Sequence, residues 1–550
     1  MPATFNERPH QNEKAETLAY VRALMEQARK DSKHEDLPKL EKIIELIDSK
    51  RYGLVWEEHA ELVEEEMKSK IPVFVEDESR KIKGNPASED YHFLLEGDNL
   101  HSLHLLEKTH AGKIDVIYID PPYNTGNKDF IYNDKIVDKN DDYSHSKWLS
   151  FMSKRLEIAQ NLLSETGVIF ISIDDNEQAQ LKLLCDEVFR EENFIATYKW
   201  NKTATAPSLS HKVRNKYEYV ICYEKKKNNI NYNGGQIDGG DIPLLNRGNS
   251  IRDIYFNKEN VTFNFEGKLK AGTYDRVVLK DDIVIRNGKS NRNFTLSGEF
   301  KWTQDTVDSE VLSGTRFIVK SRKLSVRFLR SVNKTKRPSD IISKEEGLVG
   351  TNENAKKELA DIILNNKMNY PKPVSLIKYL MQFTEDGRKN NYILDFFAGS
   401  GTTGHAVAQL NKEDGGNRKY ILCTNNENNI CEEVTYKRLA NIQEDLPHNL
   451  KYFKTEFIEK EDEDLEYALL NNVKTLIELE HAIDLEESDK AVAFTLSEIR
   501  ELDLSGIRTV YVRQHSHALM GKEDRVRYEG IDLVDVPEYY FAKEMKEAGL

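Results

Sequence analysis

The apolar positions of the chain fall in blocks whose spacing changes several times between its two ends. Leu40, Ile43, Ile44 and Ile47 recur at i, i+3, i+4 and i+7, and Val55, Leu62, Val63 and Met67 keep a compatible face, so residues 1–90 read as helical. The polar stretch KGNPASED at 83–90 marks a boundary. Beyond it, IDVIYID at 114–120 is short, β-branched and apolar, the pattern of a buried strand in a parallel sheet. Trp148, Phe151, Met152, Leu156, Ala159, Leu162 and Leu163 then repeat at helical spacing, and GVIFISID at 167–174 is a second buried strand after the turn at Gly167. Strand, helix, strand is the signature of an α/β sheet.

From about 200 to 350 the pattern changes to short mixed strands with many Gly and Asn, including NYNGG at 231–235 and IDGGD at 237–241, with no evident helix period. After 360 the α/β pattern resumes with PKPVSLIKYLM, NYILDFFAGSGTTGHAVAQLN and KYILCTNNE. The last hundred residues are acidic, and Leu465, Leu469, Val473 and Leu476 predict a helix there. There is no internal repeat. The expected division is therefore a helical region (1–90), two α/β halves (91–200 and 356–450), a mixed module between them (201–355) and a C-terminal region (451–550).

At 550 residues, length alone predicts three or four units. Hydrophobic residues make up 39% and charged residues 31%, with a mean hydropathy of −0.65, yet the apolar residues are clustered enough to build large cores. No apolar stretch reaches the roughly 18–20 residues of a membrane helix, and MPATFNERPHQNEKAE lacks the apolar centre of a signal peptide. A soluble, cytoplasmic protein is expected. Cys185, Cys222, Cys423 and Cys431 form no CxxC pair, so they are expected to be reduced and structural, with no metal site. The net charge of −15 argues against a nucleic-acid partner, but it is unevenly spread. Residues 201–350 hold 28 Lys and Arg against 17 Asp and Glu, and 316–337 hold nine Lys or Arg without a carboxylate, interleaved with Phe317 and Phe328. One basic module in an acidic chain is what a polyanion-binding unit would show, and equally what solvated strand edges would show.

Two motifs carry chemistry. The first buried strand runs into Asp120-Pro121-Pro122-Tyr123, at the strand end where open α/β sheets place ligands. The prolines fix the backbone and remove two donors, and the carboxylate accepts only, so the loop suits a donor with two hydrogens such as an exocyclic amine. Tyr123 adds a flat face, and stacking a base on an aromatic is worth about 1–3 kcal/mol. A proline-rich turn that merely caps the strand fits the tetrapeptide as well. The second motif, Asp395-Phe396-Phe397-Ala398-Gly399-Ser400-Gly401-Thr402-Thr403-Gly404, satisfies GxGxxG between a strand and a helix. Its glycines let the backbone approach a nucleoside of any kind, or serve packing alone.

Together, DPPY upstream, DFFAGSG downstream and a basic module between them resemble the amino-group DNA methyltransferases of the permuted class, in which the catalytic loop precedes the S-adenosylmethionine loop. More narrowly, RYGLVWEEHAELVEEE at 51–66, LLEGDNLHSLHLL at 94–106, KIDVIYIDPPYNTGNKDFIYND at 113–134, the segment from Trp148 through Asp175, and NLKYFKTEFIEK at 449–460 resemble the modification subunit of type III restriction–modification systems. The resemblance implies a Rossmann-like methyltransferase sheet with an inserted target-recognition domain and helical extensions at both ends. It implies that Asp120 and the Pro121 carbonyl hold the amino group of a flipped adenine in duplex DNA, with Pro122 shaping the loop and Tyr123 stacking on the base. It further implies S-adenosylmethionine contacts from Asp98, Lys372, Asp395, Phe397, Gly399, Ser400, Gly401 and Thr403. The family usually places an acid on the ribose hydroxyls after the next strand, but KYILCT puts Thr424 or Asn425 there, so Glu427 is carried in that role instead. DNA contacts are expected from Arg316, Lys320, Arg322, Lys323, Arg327 and Arg330. The partners implied are a second copy of the chain and an ATP-dependent restriction subunit.

Cytosine C5 chemistry needs a nucleophilic cysteine, and none of the four lies in a suitable loop. Methylation of a cytosine amino group, of RNA adenine or of a glutamine amide stays open, as does a solitary regulatory methyltransferase. A nicotinamide dehydrogenase would use GxGxxG but give DPPY no purpose, and a non-catalytic DNA-binding protein would need neither motif. No GxxxxGK[ST] loop and no endonuclease constellation occurs, so cleavage would need another subunit.

Overall fold

A computed structural model describes residues 13–31, 36–48, 56–126, 130–132, 135–137, 141–205, 212–235, 241–330, 335–364, 368, 370–384, 389–514 and 516–549. Val55, much of IDGGD and parts of the quoted segments at 51–66, 113–134 and 316–337 lie outside them. Eleven strands form the central sheet: β1 (Lys70–Glu76), β2 (Ile82–Lys83), β3 (His92–Glu96), β4 (Ile114–Ile119), β5 (Leu163–Ile173), β6 (Phe194–Asn201), β7 (Tyr217–Glu224), β8 (Ile341–Ile342), β9 (Tyr392–Asp395), β10 (Lys419–Thr424) and β11 (Asn449–Glu459). Their order is β1-β11-β3-β10-β9-β4-β5-β7-β6-β8, with β2 also on β11. The six strands from β11 to β5 are mutually parallel, while β1 and β7 run antiparallel to their neighbours.

Side chains alternate across this sheet. Phe93, Leu95, Ile117, Ile119, Ile169 and Ile171 enter one core with the helices α4 (Asn99–His110), α5 (Ser144–Leu162) and α6 (Gln178–Cys185). Leu94, Val116, Tyr118, Val168 and Phe170 enter the other with α9 (Val374–Gln382) and α10 (Thr402–Asp414). Burial on both faces is why these strands are continuous apolar runs. Tight packing leaves all four cysteines buried and unpaired.

Several expectations need correction. Residues 1–90 are not wholly helical: α1 (Glu13–Lys30), α2 (Leu37–Asp48) and α3 (Leu62–Ser69) are followed by β1, whose KIPVFVE pairs with β11 almost 400 residues downstream. Cutting at 200/201 and 450/451 divides β6 and β11, and β7 and β8 return residues assigned to the inserted module to the main sheet. The module proper, 242–329, holds three small sheets around Phe256, Phe263, Phe294 and Phe317, plus one helix, α7 (Gln304–Leu312), that the sequence pattern hid. Its neck is closed by Gly234 N–H donating to the Lys336 carbonyl (2.6 Å) and Lys336 N–H to that of Gly235 (2.8 Å). A Cβ on Gly234 would lie 2.4 Å from Pro338 N, so the neck requires glycine. The single helix expected from Leu465 is two, Leu465–Asn471 and Val473–His481, and a three-stranded parallel sheet (Lys490–Ala493, Thr509–Arg513, Asp532–Val536) follows. No helix among the described residues is long and apolar enough to cross a membrane.

One buried ionic cluster ties the C-terminal helices to the sheet. Lys451 of β11, wholly buried, lies 3.0 Å from Glu76, 2.8 Å from Glu478 and 3.5 Å from Asp484. Burial pushes Glu76 up to about 7 even with that ammonium beside it. Lys451→Met leaves Glu76 and Glu478 buried without their cation, Asp484 keeping Lys81, and is expected to cost about 3–5 kcal/mol in urea unfolding near neutral pH. A carboxyl with a raised folded-state pKa stabilises most below its unfolded value and loses that contribution as pH rises through the folded value. The deficit should therefore be greatest above the Glu76 value of about 7 and shrink toward pH 5, and an equal deficit at both ends would contradict this account.

Candidate active site

The connections diverge at the middle of the sheet: β4 leads through α5 to β5 on one side, and β9 through α10 to β10 on the other. The crevice between the carboxyl ends of β4 and β9 is a topological switch point, where open α/β sheets bind ligands. Asp120-Pro121-Pro122-Tyr123 leaves β4 at that edge and the glycine-rich loop leaves β9 beside it. The two sequence motifs, 275 residues apart, meet there.

Asp120 accepts from the Lys372 ammonium through both oxygens, at 2.8 and 2.7 Å, and from the Tyr123 hydroxyl at 2.8 Å. Glu218 of β7 completes the cluster, 3.3 Å from the Tyr123 hydroxyl, 3.6 Å from Lys372 and 3.1 Å from Lys202. Two carboxylates thus balance two ammoniums in a nearly closed site. Burial pushes the Lys372 pKa down, but Asp120 and Glu218 outweigh it and hold it above the ordinary lysine value. Burial raises Asp120, and the Lys372 ammonium pulls it back. The Lys372 nitrogen stands 5.1 Å from the centre of the Tyr123 ring. An ammonium therefore already occupies the place between carboxylate and aromatic face that suits an amine.

The loop backbone is fixed from behind. Trp148 of α5, fully buried, donates Nε1–H to the Pro122 carbonyl at 2.7 Å, and no hydrogen bond to the Pro121 carbonyl occurs among the described residues. The loop then turns at Asn124 (φ +56°), whose amide donates to the buried Glu177 at 2.6 Å, with His145 at 2.6 Å from the same oxygen.

On the other side of the crevice, Asp395 accepts from the Thr403 hydroxyl (2.5 Å) and the Phe397 amide (3.0 Å), and burial raises it to about 7. It staples its own loop. Ser400 and Thr402 hydroxyls bond each other at 2.9 Å, and Thr403 is fully buried, so Asp395, Ser400 and Thr403 shape the loop from inside rather than facing the crevice. Phe397 and Gly399 are its half-buried members. Gly399 and Gly401 have φ of +48° and +71°, and a Cβ on Gly401 would meet Thr435 at 3.2 Å. Behind it, the buried Arg438 donates to Thr402 at 2.9 Å.

Asp98 caps α4 through the Leu100 amide (2.7 Å) and pairs with buried Arg155 at 3.3 Å, with its carboxylate one-third exposed at the same edge. Arg155 also donates to Asn99, whose amide donates to the Phe396 carbonyl, coupling that edge to the glycine-rich loop. Glu427 is exposed on a short turn after β10. Lys372, expected on the cofactor, instead directs its ammonium to Asp120, while its carbonyl accepts from the Thr402 hydroxyl at 3.1 Å. Several cations of the basic hairpin have partners within the chain. Lys320 and Arg327 pair with Asp241 (2.7 and 3.1 Å), Arg330 forks onto Glu310, Arg316 donates to Asn260, and Arg322 to the Glu266 carbonyl. Five of the six residues expected on DNA thus bond to neighbouring segments, and Lys323 has no such bond among the described residues. Sequence reasoning missed Glu218, Lys202, Trp148 and Glu177 as site residues. A signal existed for Glu218, a lone acid after Tyr217 at the head of the apolar run YVICY.

This fold and paired-loop site define a class. Residues 114–436, more than half the chain, match the N6/N4 family described as DNA methylase, and the chain belongs to that family. It is similar to the type III restriction-modification enzyme StyLTI Mod subunit of Salmonella typhimurium (32% identical over 390 residues, 64% of this chain and 56% of that protein). It is also similar to the EcoPI Mod subunit of Escherichia phage P1 (32% over 378 residues, 61% and 57%) and to the type II methyltransferase M.KpnI of Klebsiella pneumoniae (30% over 399 residues, 66% and 90%). The chain spans little more than half the length of the two Mod subunits.

Gly401→Asp forces a side chain into a left-handed turn against Thr435. It is expected to weaken S-adenosylhomocysteine binding at least roughly tenfold by calorimetry, a loss of about 1.4 kcal/mol, while the circular dichroism spectrum is retained.

Proposed function

We propose that the chain transfers a methyl group from S-adenosylmethionine to the exocyclic amino group of an adenine flipped out of duplex DNA. The observation that carries this is the pairing of Asp120, Tyr123 and the Pro121 carbonyl with a glycine-rich loop across one crevice. The residues present fit the cofactor: Phe397 offers a half-buried flat face, Gly399 and Gly401 a backbone without side chains, and Asp98 and Glu427 carboxylates within reach of solvent for hydroxyls or an amine. When bound, S-adenosylmethionine supplies an electrophilic methyl group on a sulfonium.

The chain's own part is positioning. The target amine takes the place of the Lys372 ammonium at Asp120, and Glu218, 3.6 Å away, keeps that ammonium paired. Asp120 and the Pro121 carbonyl accept the two amine hydrogens, which turns the nitrogen lone pair toward the crevice. Tyr123 stacks on the base, held in place by its hydroxyl on Asp120. Holding two reactants in attack geometry supplies about 7–11 kcal/mol. As positive charge builds on the nitrogen, the Asp120 carboxylate stabilises it and takes the departing proton.

Similarity to two Mod subunits supports a role as the modification and recognition subunit of a type III system, paired with a second copy and an ATP-dependent restriction subunit. Similarity covering 90% of M.KpnI favours a second reading, a methyltransferase acting alone.

The test is to produce the chain and its Asp120→Ala variant in a methylation-free host and to map modified bases in host DNA by single-molecule sequencing. N6-methyladenine in one short motif is expected, on one strand for a type III enzyme. The variant should fall by roughly 10³-fold or more in purified assays with little change in S-adenosylhomocysteine affinity. Methyl transfer by Asp120→Ala at the normal rate would overturn the assignment of the loop, and methylation at a cytosine amino group would correct the base.

A further inference from the structure

Three of the six hairpin cations, Lys320, Arg327 and Arg330, are paired with Asp241 and Glu310, which leaves open what grips the substrate beside the pocket. The loop between β6 and β7 answers this. It leaves the sheet at Asn201 and returns at Tyr217, on the edge where β4 and β5 end, because β6 and β7 are antiparallel to each other and β7 to β5. Both ends of the loop are part of the catalytic cluster: Lys202 pairs with Glu218, the first residue after Tyr217. The stem is closed by Lys202 N–H donating to the Lys216 carbonyl at 2.9 Å, and its outgoing side is fastened by the Thr203 hydroxyl on Glu353 at 2.5 Å.

From Lys202 to Tyr217 the sequence carries four Lys or Arg and no Asp or Glu. Residues 212–217 are all exposed, placing Lys212, Arg214 and Lys216 on the surface. Beside the exposed cations, Asp175 accepts from the Asn215 amide (3.1 Å) and the Tyr219 hydroxyl (2.7 Å). An acid-free run of cations on the rim of a base pocket complements the phosphates that flank an extruded nucleotide, whose positions are the same for every sequence.

We propose that Lys212, Arg214 and Lys216 bind the backbone phosphates of duplex DNA next to the base held at Asp120. This rests on the DNA methyltransferase reading and adds the surface on which the duplex sits. The loop anchors the duplex without reading bases, and because its stem is joined to Glu218 it registers the duplex directly against the catalytic cluster.

Binding of a 30-base-pair duplex of mixed sequence is measured by fluorescence anisotropy across a salt series. Each neutralised phosphate contributes about 0.9 to the slope of log affinity against log salt. The triple variant Lys212→Gln/Arg214→Gln/Lys216→Gln is expected to bind more weakly with a slope shallower by about 2 to 3. Its S-adenosylhomocysteine affinity and melting temperature should match the wild type. The pair Lys320→Gln/Arg327→Gln, whose cations rest on Asp241, should leave the slope unchanged. An unaltered slope in the triple variant, or a loss confined to the Asp241 pair, overturns the proposal while leaving the methyltransferase reading intact if the wild type still methylates duplex DNA. A wild type that methylates no duplex, or that prefers a structured RNA of the same length, removes both.

Discussion

Lys372 joins the two halves of the site. Its ammonium is held by Asp120 at the end of one strand, and its carbonyl is held by Thr402 at the start of the helix that follows another. The first contact is electrostatic and buried, so it tolerates little separation; the second fixes the backbone from which that ammonium extends. A buried ion pair of this kind costs desolvation that only good geometry repays. The loops on either side of the crevice therefore have one favourable relative position while this pair is in place.

Other polar groups around the crevice are spent on its scaffold. Asp395 gives both oxygens to its own loop, while Asp98 gives one to a helix cap and Arg155, and Glu177 one to the turn after Tyr123. Chemistry at such a site depends less on a strongly basic side chain than on how few ways the reacting groups can be arranged.

The parallel strands and both loops were legible in the sequence because each is local: IDVIYID and NYIL are apolar on both faces, and the motifs follow them directly. Pairings across long separations were not. KIPVFVE reads as a continuation of helix until β11 arrives beside it, and nothing near Lys372 in sequence announces Asp120, 252 residues away. The pairing of the basic run at 316–337 was hidden for the same reason, since a count of charges within it omits Asp241 and Glu310, which lie outside that run in sequence and against it in space. Leu465 to Leu476 keeps one periodicity, but the chain breaks at Asn472 and makes two helices. For the methyltransferase class itself, two short motifs sufficed, because their chemistry is carried by main chain and by one residue type at each position.

The neck at Gly234, Gly235 and Lys336 gives the inserted module a narrow point of attachment: two backbone hydrogen bonds and a glycine that no other residue replaces. The module has its own core, built from its own phenylalanines. A gene recombining at the codons for this neck could replace the whole insert as a cassette and leave every strand of the catalytic sheet untouched. Lineages carrying this architecture can then exchange the insert at the pace of recombination, while the site at Asp120 is inherited unchanged.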